Sequence, residues 1–239
     1  MFHGRAPVRD APGAPARRTP EAARRDAEAP ADLALPIARM GGRVEEMLSL
    51  ALRSVARRDP AAARRVAEGD RELETLQRDI ESRATALIGR RAQPPEELRA
   101  LLAALRVADA LDRIGALARN LAVRGAALGP PRPDDPGAAV LRLGERAQAQ
   151  LAEALCAHQA RDAERARAVV RRDAALDSLF ASLTGDLAAR MAAERDAVGP
   201  GAQWLFLAKD LERVGDHAGA VAAATWFLVT GEALDAAEG

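Results

Sequence analysis

Aromatic residues supply only 3% of this 239-residue chain, so its core must be assembled from alanine, leucine and valine. That composition argues against sheets, whose strands favour β-branched and aromatic side chains, and for closely packed helices. Net charge is missing as well, because 35 basic and 35 acidic residues cancel. No electrostatic case for nucleic acid follows. The pairs Arg57-Arg58, Arg64-Arg65 and Arg171-Arg172 splay on a helix rather than form one basic stripe, and read as solvated surface. The single cysteine, Cys156, can close no internal disulfide and has no cysteine cluster around it, which fits a reducing compartment. Long hydrophobic runs are lacking too. The best membrane candidate, residues 218–229, is short, rich in alanine and flanked by Asp216, His217 and Glu232; it reads as a buried helix of a soluble protein. Residues 1–32 lack the apolar segment of a signal peptide and alternate Arg with Asp and Glu among Ala and Pro, so a disordered N-terminal extension is expected there.

What is present is a repeat. Ala110-Leu111-Asp112-Arg113-Ile114-Gly115-Ala116 matches Asp210-Leu211-Glu212-Arg213-Val214-Gly215-Asp216, and each follows a long helix-like segment. Duplicated units of this kind stack and share a core. Asp59-Pro60 reads as a cap followed by proline at the first helical position, and Asp135-Pro136 repeats that signal. Asp162 reads as a further cap and Gly231 as a C-terminal stop. Pro94-Pro95, Gly129-Pro130-Pro131 and Gly199-Pro200-Gly201 supply the remaining breaks. Helices are expected near 37–58, 60–90, 95–128, 136–160, 163–194 and 197–230. Asp59 precedes Asp70 by eleven residues and Asp162 precedes Asp173 by the same interval, so the halves also agree outside the first motif. The expected fold is all-α, two tandem antiparallel three-helix bundles over 33–129 and 135–231.

Carboxylates line the edges of these apolar stripes. On the fifth helix Asp173 and Asp177 lie one turn apart beside Val169, Leu176, Phe180, Leu183 and Leu187. On the second, Asp70 and Glu74 flank Val66, Leu73, Ile80 and Leu87; on the sixth, Glu212 and Asp216 flank Trp204, Leu211, Gly215 and Ala218. An antiparallel turn near residue 194 sets Asp173 opposite Asp216 and Asp177 opposite Glu212. A turn near Pro94 sets Asp70 opposite Ala116 and Glu74 opposite Asp112. Like charges at i,i+4 repel by a few tenths of a kcal/mol, and a bound cation removes that cost. Oxygen-only ligands suit magnesium, calcium, manganese or iron. The alternative is that the acids pair with arginines such as Arg113, Arg172 and Arg213. His217 and Asp210 point away from the acidic side on the helical wheel.

Catalytic patterns are absent: no Ser-His-Asp or Cys-His spacing, no phosphate-cradling glycine loop and no Glu-x-x-His motif. Gly115 and Gly215 sit mid-helix, where they allow close helix packing.

The segment Leu207-Ala208-Lys209-Asp210-Leu211-Glu212-Arg213-Val214-Gly215-Asp216-His217-Ala218 resembles the signature of the PhoU family of phosphate-uptake regulators. The stretch 105–122, with Asn120-Leu121-Ala122, resembles the signature of that family's first repeat, and the acid pairs 70/74 and 173/177 match its companion motif. The resemblance runs from about Leu33 to Gly231. It implies two three-helix bundles, often dimeric, with metal at the acidic motifs: Asp173, Asp177, Glu212 and Asp216 in the second half, and Asp70, Glu74 and Asp112 in the first. It also implies a cytoplasmic, non-enzymatic regulator that restrains phosphate uptake and represses the starvation response. The partners so implied are a phosphate-transporter ATPase and a sensor histidine kinase. The rival readings are a partner of another transporter, a metal-dependent enzyme built on the carboxylates, and an inert helical scaffold. The first half departs from the pattern, with Ala116 where the second has Asp216 and Ala110 where it has Asp210. Asp109 precedes Asp112 by three residues and offers a displaced ligand. The second bundle is therefore expected to bind metal more tightly.

Overall fold

The computed structural model describes residues 30–89 and 93–234. Residues 1–29 of the expected extension lie outside them, while Pro30–Leu33 form a 3-10 turn that buries Leu33. Six helices follow: α1 Ala34–Arg57, α2 Pro60–Ile88, α3 Pro95–Ala127, α4 Gly137–Ala160, α5 Ala163–Ala193 and α6 Val198–Thr230. Among the described residues there is no strand, and no helix is long and apolar enough to cross a membrane.

The starts and stops have local causes. Asp59 accepts a hydrogen bond from the Ala61 amide at 2.8 Å, and Asp162 accepts one from the Arg165 amide at 2.9 Å, each satisfying an orphan donor at a helix start. Asp135 behaves differently from the expected cap. Its carboxylate accepts from the Arg132 amide at 3.0 Å and pairs with Arg58 at 3.2 Å, and α4 begins without a side-chain cap. The reason is a rival partner: Arg58 also donates to the Gly129 carbonyl at 3.3 Å and lies 5.1 Å from the centre of the Trp204 ring. One guanidinium thus gathers the end of α1, the inter-bundle linker and the start of α6. Pro200 falls in the first turn of α6, where its missing N–H is harmless. Gly231 ends α6 at φ +80°, with its N–H bonded to the Phe227 carbonyl.

Helices α1–α3 and α4–α6 form two three-helix bundles that share one continuous core. The long third helices, α3 and α6, make the broadest contact between them, and α1 meets α4 alongside. Small residues permit this closeness: Ala108, Ala118, Ala122, Ala218 and Ala222 are all buried. Each fully buried Leu or Val beside them adds about 1.5–3 kcal/mol. Residues 218–229 lie within α6, and Ala218, Val221, Ala222 and Ala224 are in the core rather than facing lipid.

The repeat glycines set the spacing inside each bundle. A Cβ on Gly115 would stand 2.2 Å from Leu73 Cδ2, and one on Gly215 would stand 2.1 Å from Leu176 Cδ2. Each long helix therefore meets its neighbour through a glycine beside the acids: Gly115 is three residues from Asp112, and Gly215 adjoins Asp216, its Cβ position 3.4 Å from Asp173 Oδ1.

Candidate metal centre

Helix α5 carries Asp173 and Asp177 on successive turns, and α6 brings Asp216 against them. One carboxylate oxygen from each of the three lies within 4.8 Å of the others. A cation at the centre could reach all three at about the distance that oxygen ligands adopt around calcium-sized ions. The donor set is oxygen only, which suits hard cations. Asp177 and Asp216 are exposed and Asp173 is half-buried, so the cluster faces solvent.

Two further groups shape the cluster. Glu212, the fourth expected acid, pairs with Lys209 at 2.6 Å, and its charge acts on both Asp177 and Asp216. Lys209 Nζ also sits 5.4 Å from the centre of the Phe180 ring. Desolvation, then the charges of Asp173 and Glu212, push the Asp177 carboxyl above its ordinary range, against the opposing pull of Lys209. Asp216 is raised by desolvation, then by Glu212 and Asp173. The arginines expected to neutralise these acids do not make ion pairs with them among the described residues; Arg113 instead pairs with Asp109 at 3.6 Å.

Asp173 has a support that sequence reasoning missed. Gln150 of α4, only 7% exposed, donates from Nε2 to Asp173 Oδ1 at 2.9 Å and to the Gly215 carbonyl at 3.3 Å. It therefore ties together all three helices of the second bundle at the acidic edge. The signal was present: Gln150 is a polar residue inside the stripe Val140, Leu143, Ala147, Leu151 and Ala154.

The first half is built differently. Asp70 pairs with Arg119 at 3.2 Å. Asp112 is raised by desolvation, then by Asp70 and Asp109, with Arg113 opposing and Glu74 adding to the rise. Asp70, Glu74 and Asp112 are thus electrostatic neighbours, but they do not converge as tightly as the second-half triad among the described residues. Two positions account for this. Ala116 stands where the second half has Asp216, and Arg119 stands where it has Gly219. One change removes a carboxylate and the other inserts a competing cation.

Asp210 does point away from the cluster, toward the other bundle. It is nearly buried, pairs with Arg124 of α3 at 3.6 Å, and has its carboxyl raised by burial. His217 is half-buried near Arg213, Arg113 and Asp109.

A family model, the PhoU domain, matches the chain twice, over residues 37–124 and 140–225. The chain belongs to the PhoU family. Among curated PhoU proteins, it is 33% identical over 208 residues to the phosphate-specific transport system accessory protein PhoU homolog of Caulobacter vibrioides, covering 85% of this chain and 89% of that one. It is 32% identical over 196 residues to the protein of the same description in Rhizobium meliloti, covering 82% and 83% respectively. The crystal structure of PhoU from Pseudomonas aeruginosa superposes with a TM-score of 0.80 at 27% identity, over 84% of this chain and 97% of that one. The phosphate transport system regulatory protein PhoU from Streptococcus pneumoniae shares the fold, with a TM-score of 0.79 at 22% identity, over 86% and 97%. The PhoU fold thus spans both bundles, and the acid triad lies on the second of them.

Proposed function

We propose that this protein is a cytoplasmic, non-enzymatic regulator of phosphate homeostasis. It restrains high-affinity phosphate uptake and represses the phosphate-starvation response by contact with a transporter ATPase and a sensor histidine kinase. The observation that carries the reading is the double PhoU match, together with relatives described as phosphate-transport accessory proteins that align over most of their length. The open position of Asp177 and Asp216 supports a binding role over catalysis, which needs an enclosed site. Two long helices meeting along one core give a rigid body suited to docking, and a homodimer is part of the proposal.

The same reading assigns a hard cation to Asp173, Asp177 and Asp216, with Glu212 beside them. Magnesium, calcium, manganese and iron all suit such a donor set. A bound cation neutralises the mutual repulsion that raises Asp177 and Asp216. The first-half acids Asp70, Glu74 and Asp112 hold metal more weakly, because Arg119 already occupies Asp70.

Affinity capture of the tagged full chain from phosphate-replete cells tests the regulatory reading. Recovery of a phosphate-transporter ATPase or a sensor kinase is expected. Recovery of components of a different transporter would contradict the phosphate assignment.

A further inference from the structure

At the seam between the bundles, away from the acidic cluster, lies a cavity of about 340 Å³. This is within the usual size range of small-molecule sites, which favour domain interfaces. Leu33 and Ile37 line it from the first bundle, and Leu155 and Leu228 from the second. His158 and Arg161, at the end of α4, are its titratable and charged groups, and no carboxylate of the described residues lines it. Arg161 has no ion pair among the described residues.

Thr225 Oγ1 stands 2.9 Å from the Val221 carbonyl and 3.0 Å from His158 Nδ1. With its one hydroxyl hydrogen assigned to the carbonyl, Thr225 accepts from Nδ1, and that assignment leaves Nε2 of the neutral ring without a proton. Arg161 is the charged group acting on this ring. From the other elements Ile37, Ala104, Thr225 and Leu228 face it or its cavity, and none of them titrates.

We propose that this cavity binds an amphipathic monocarboxylate, its alkyl chain among Leu33, Ile37, Leu155 and Leu228 and its head between His158 and Arg161. Arg161 supplies a permanent cation. Because Nε2 of the neutral ring is an acceptor, a carboxylate head requires one proton between them, taken from solvent. Binding is therefore coupled to the uptake of about one proton. The ligand touches both bundles and would hold their relative position.

Isothermal titration of the full chain with octanoate and with octanol, in buffers of different ionisation enthalpy, tests this. Octanoate is expected to bind at least about tenfold tighter than octanol, the scale of a charge-assisted hydrogen bond, with about one proton taken up. The variant Arg161→Asn, chosen because φ is +51° there and asparagine tolerates the left-handed region, should lose that preference. The variant His158→Gln should abolish the proton uptake, with circular dichroism confirming that it folds. Equal affinity for octanol and octanoate, unchanged octanoate binding in Arg161→Asn, or no binding of octanoate to the native chain would each overturn the proposal.

Discussion

Gln150 Nε2 lies 2.9 Å from Asp173 Oδ1, so a buried amide on α4 orients a carboxylate that α5 presents to the acidic cluster. This is the arrangement by which groups behind a ligand set its direction and strength. Replacing Gln150 with Ala leaves Asp173 and the Gly215 carbonyl without that donor. Metal affinity at the second-half cluster is expected to fall about tenfold or more, and stability by about 1–3 kcal/mol. Manganese titration and chemical unfolding measure the two effects. Full retention of affinity would show that Asp173 needs no such support.

The acidic clusters should differ in strength. Asp216→Ala removes one of three converging carboxylates, whereas Asp112→Ala removes one from a set already disturbed by Arg119. Bound manganese, measured by elemental analysis after equilibrium dialysis, should drop more in the first variant. The converse is stronger: the double variant Ala116→Asp with Arg119→Gly rebuilds the second-half pattern in the first half and should add manganese binding. Equal losses in the two single variants would remove the distinction between the halves.

Close helix approach at the repeat glycines predicts steric sensitivity. The new methyl in Gly215→Ala would overlap Leu176, which is fully buried, and Gly115→Ala would do the same to Leu73. Each should cost about 1–3 kcal/mol from overpacking. Gly219→Ala is the control, since nothing lies within 4 Å of its Cβ position, and it should stabilise by about 0.4–1 kcal/mol through the unfolded chain. Thermal unfolding of the three variants orders them.

His158 predicts a pH response. Burial, then the charge of Arg161, lowers its pKa from the ordinary value of 6.5. The unfolded chain therefore binds more protons than the native one as pH falls below about 6.5, and stability falls with it. His217 is lowered too, by burial first and then by Arg213 and Arg113, and acts in the same direction. The His158→Gln variant keeps a donor toward Thr225 but cannot titrate. Its melting temperature should therefore decline less than that of the native chain between about pH 7.5 and 5.5. Parallel declines would contradict the assignment of a lowered pKa to His158.

The helices were legible because their boundaries are written in local chemistry: Asp59 and Asp162 cap, Pro60 and Pro95 open helices, Pro200 falls in the first turn of α6, and Gly231 closes it. The pairing of Asp173 with Asp216 followed from counting residues back from the turn. What the sequence hid was competition between partners. Asp135 has the pattern of a cap but is engaged by Arg58, seventy-seven positions away in sequence. Asp70 matches Asp173 by position, yet Arg119 reaches it from α3, and no cation among the described residues reaches Asp173 within ion-pair distance. Gln150 and the inter-bundle pair Arg124–Asp210 are likewise contacts between distant segments, which no helical wheel of a single element can display.

The most direct test of the regulatory account is phosphate uptake by phosphate-replete cells that lack this chain, measured with radiolabelled phosphate beside a starvation-response reporter. Uptake and reporter should both rise, and the intact gene should restore them. Unchanged uptake and a silent reporter in the deletion strain would contradict the account.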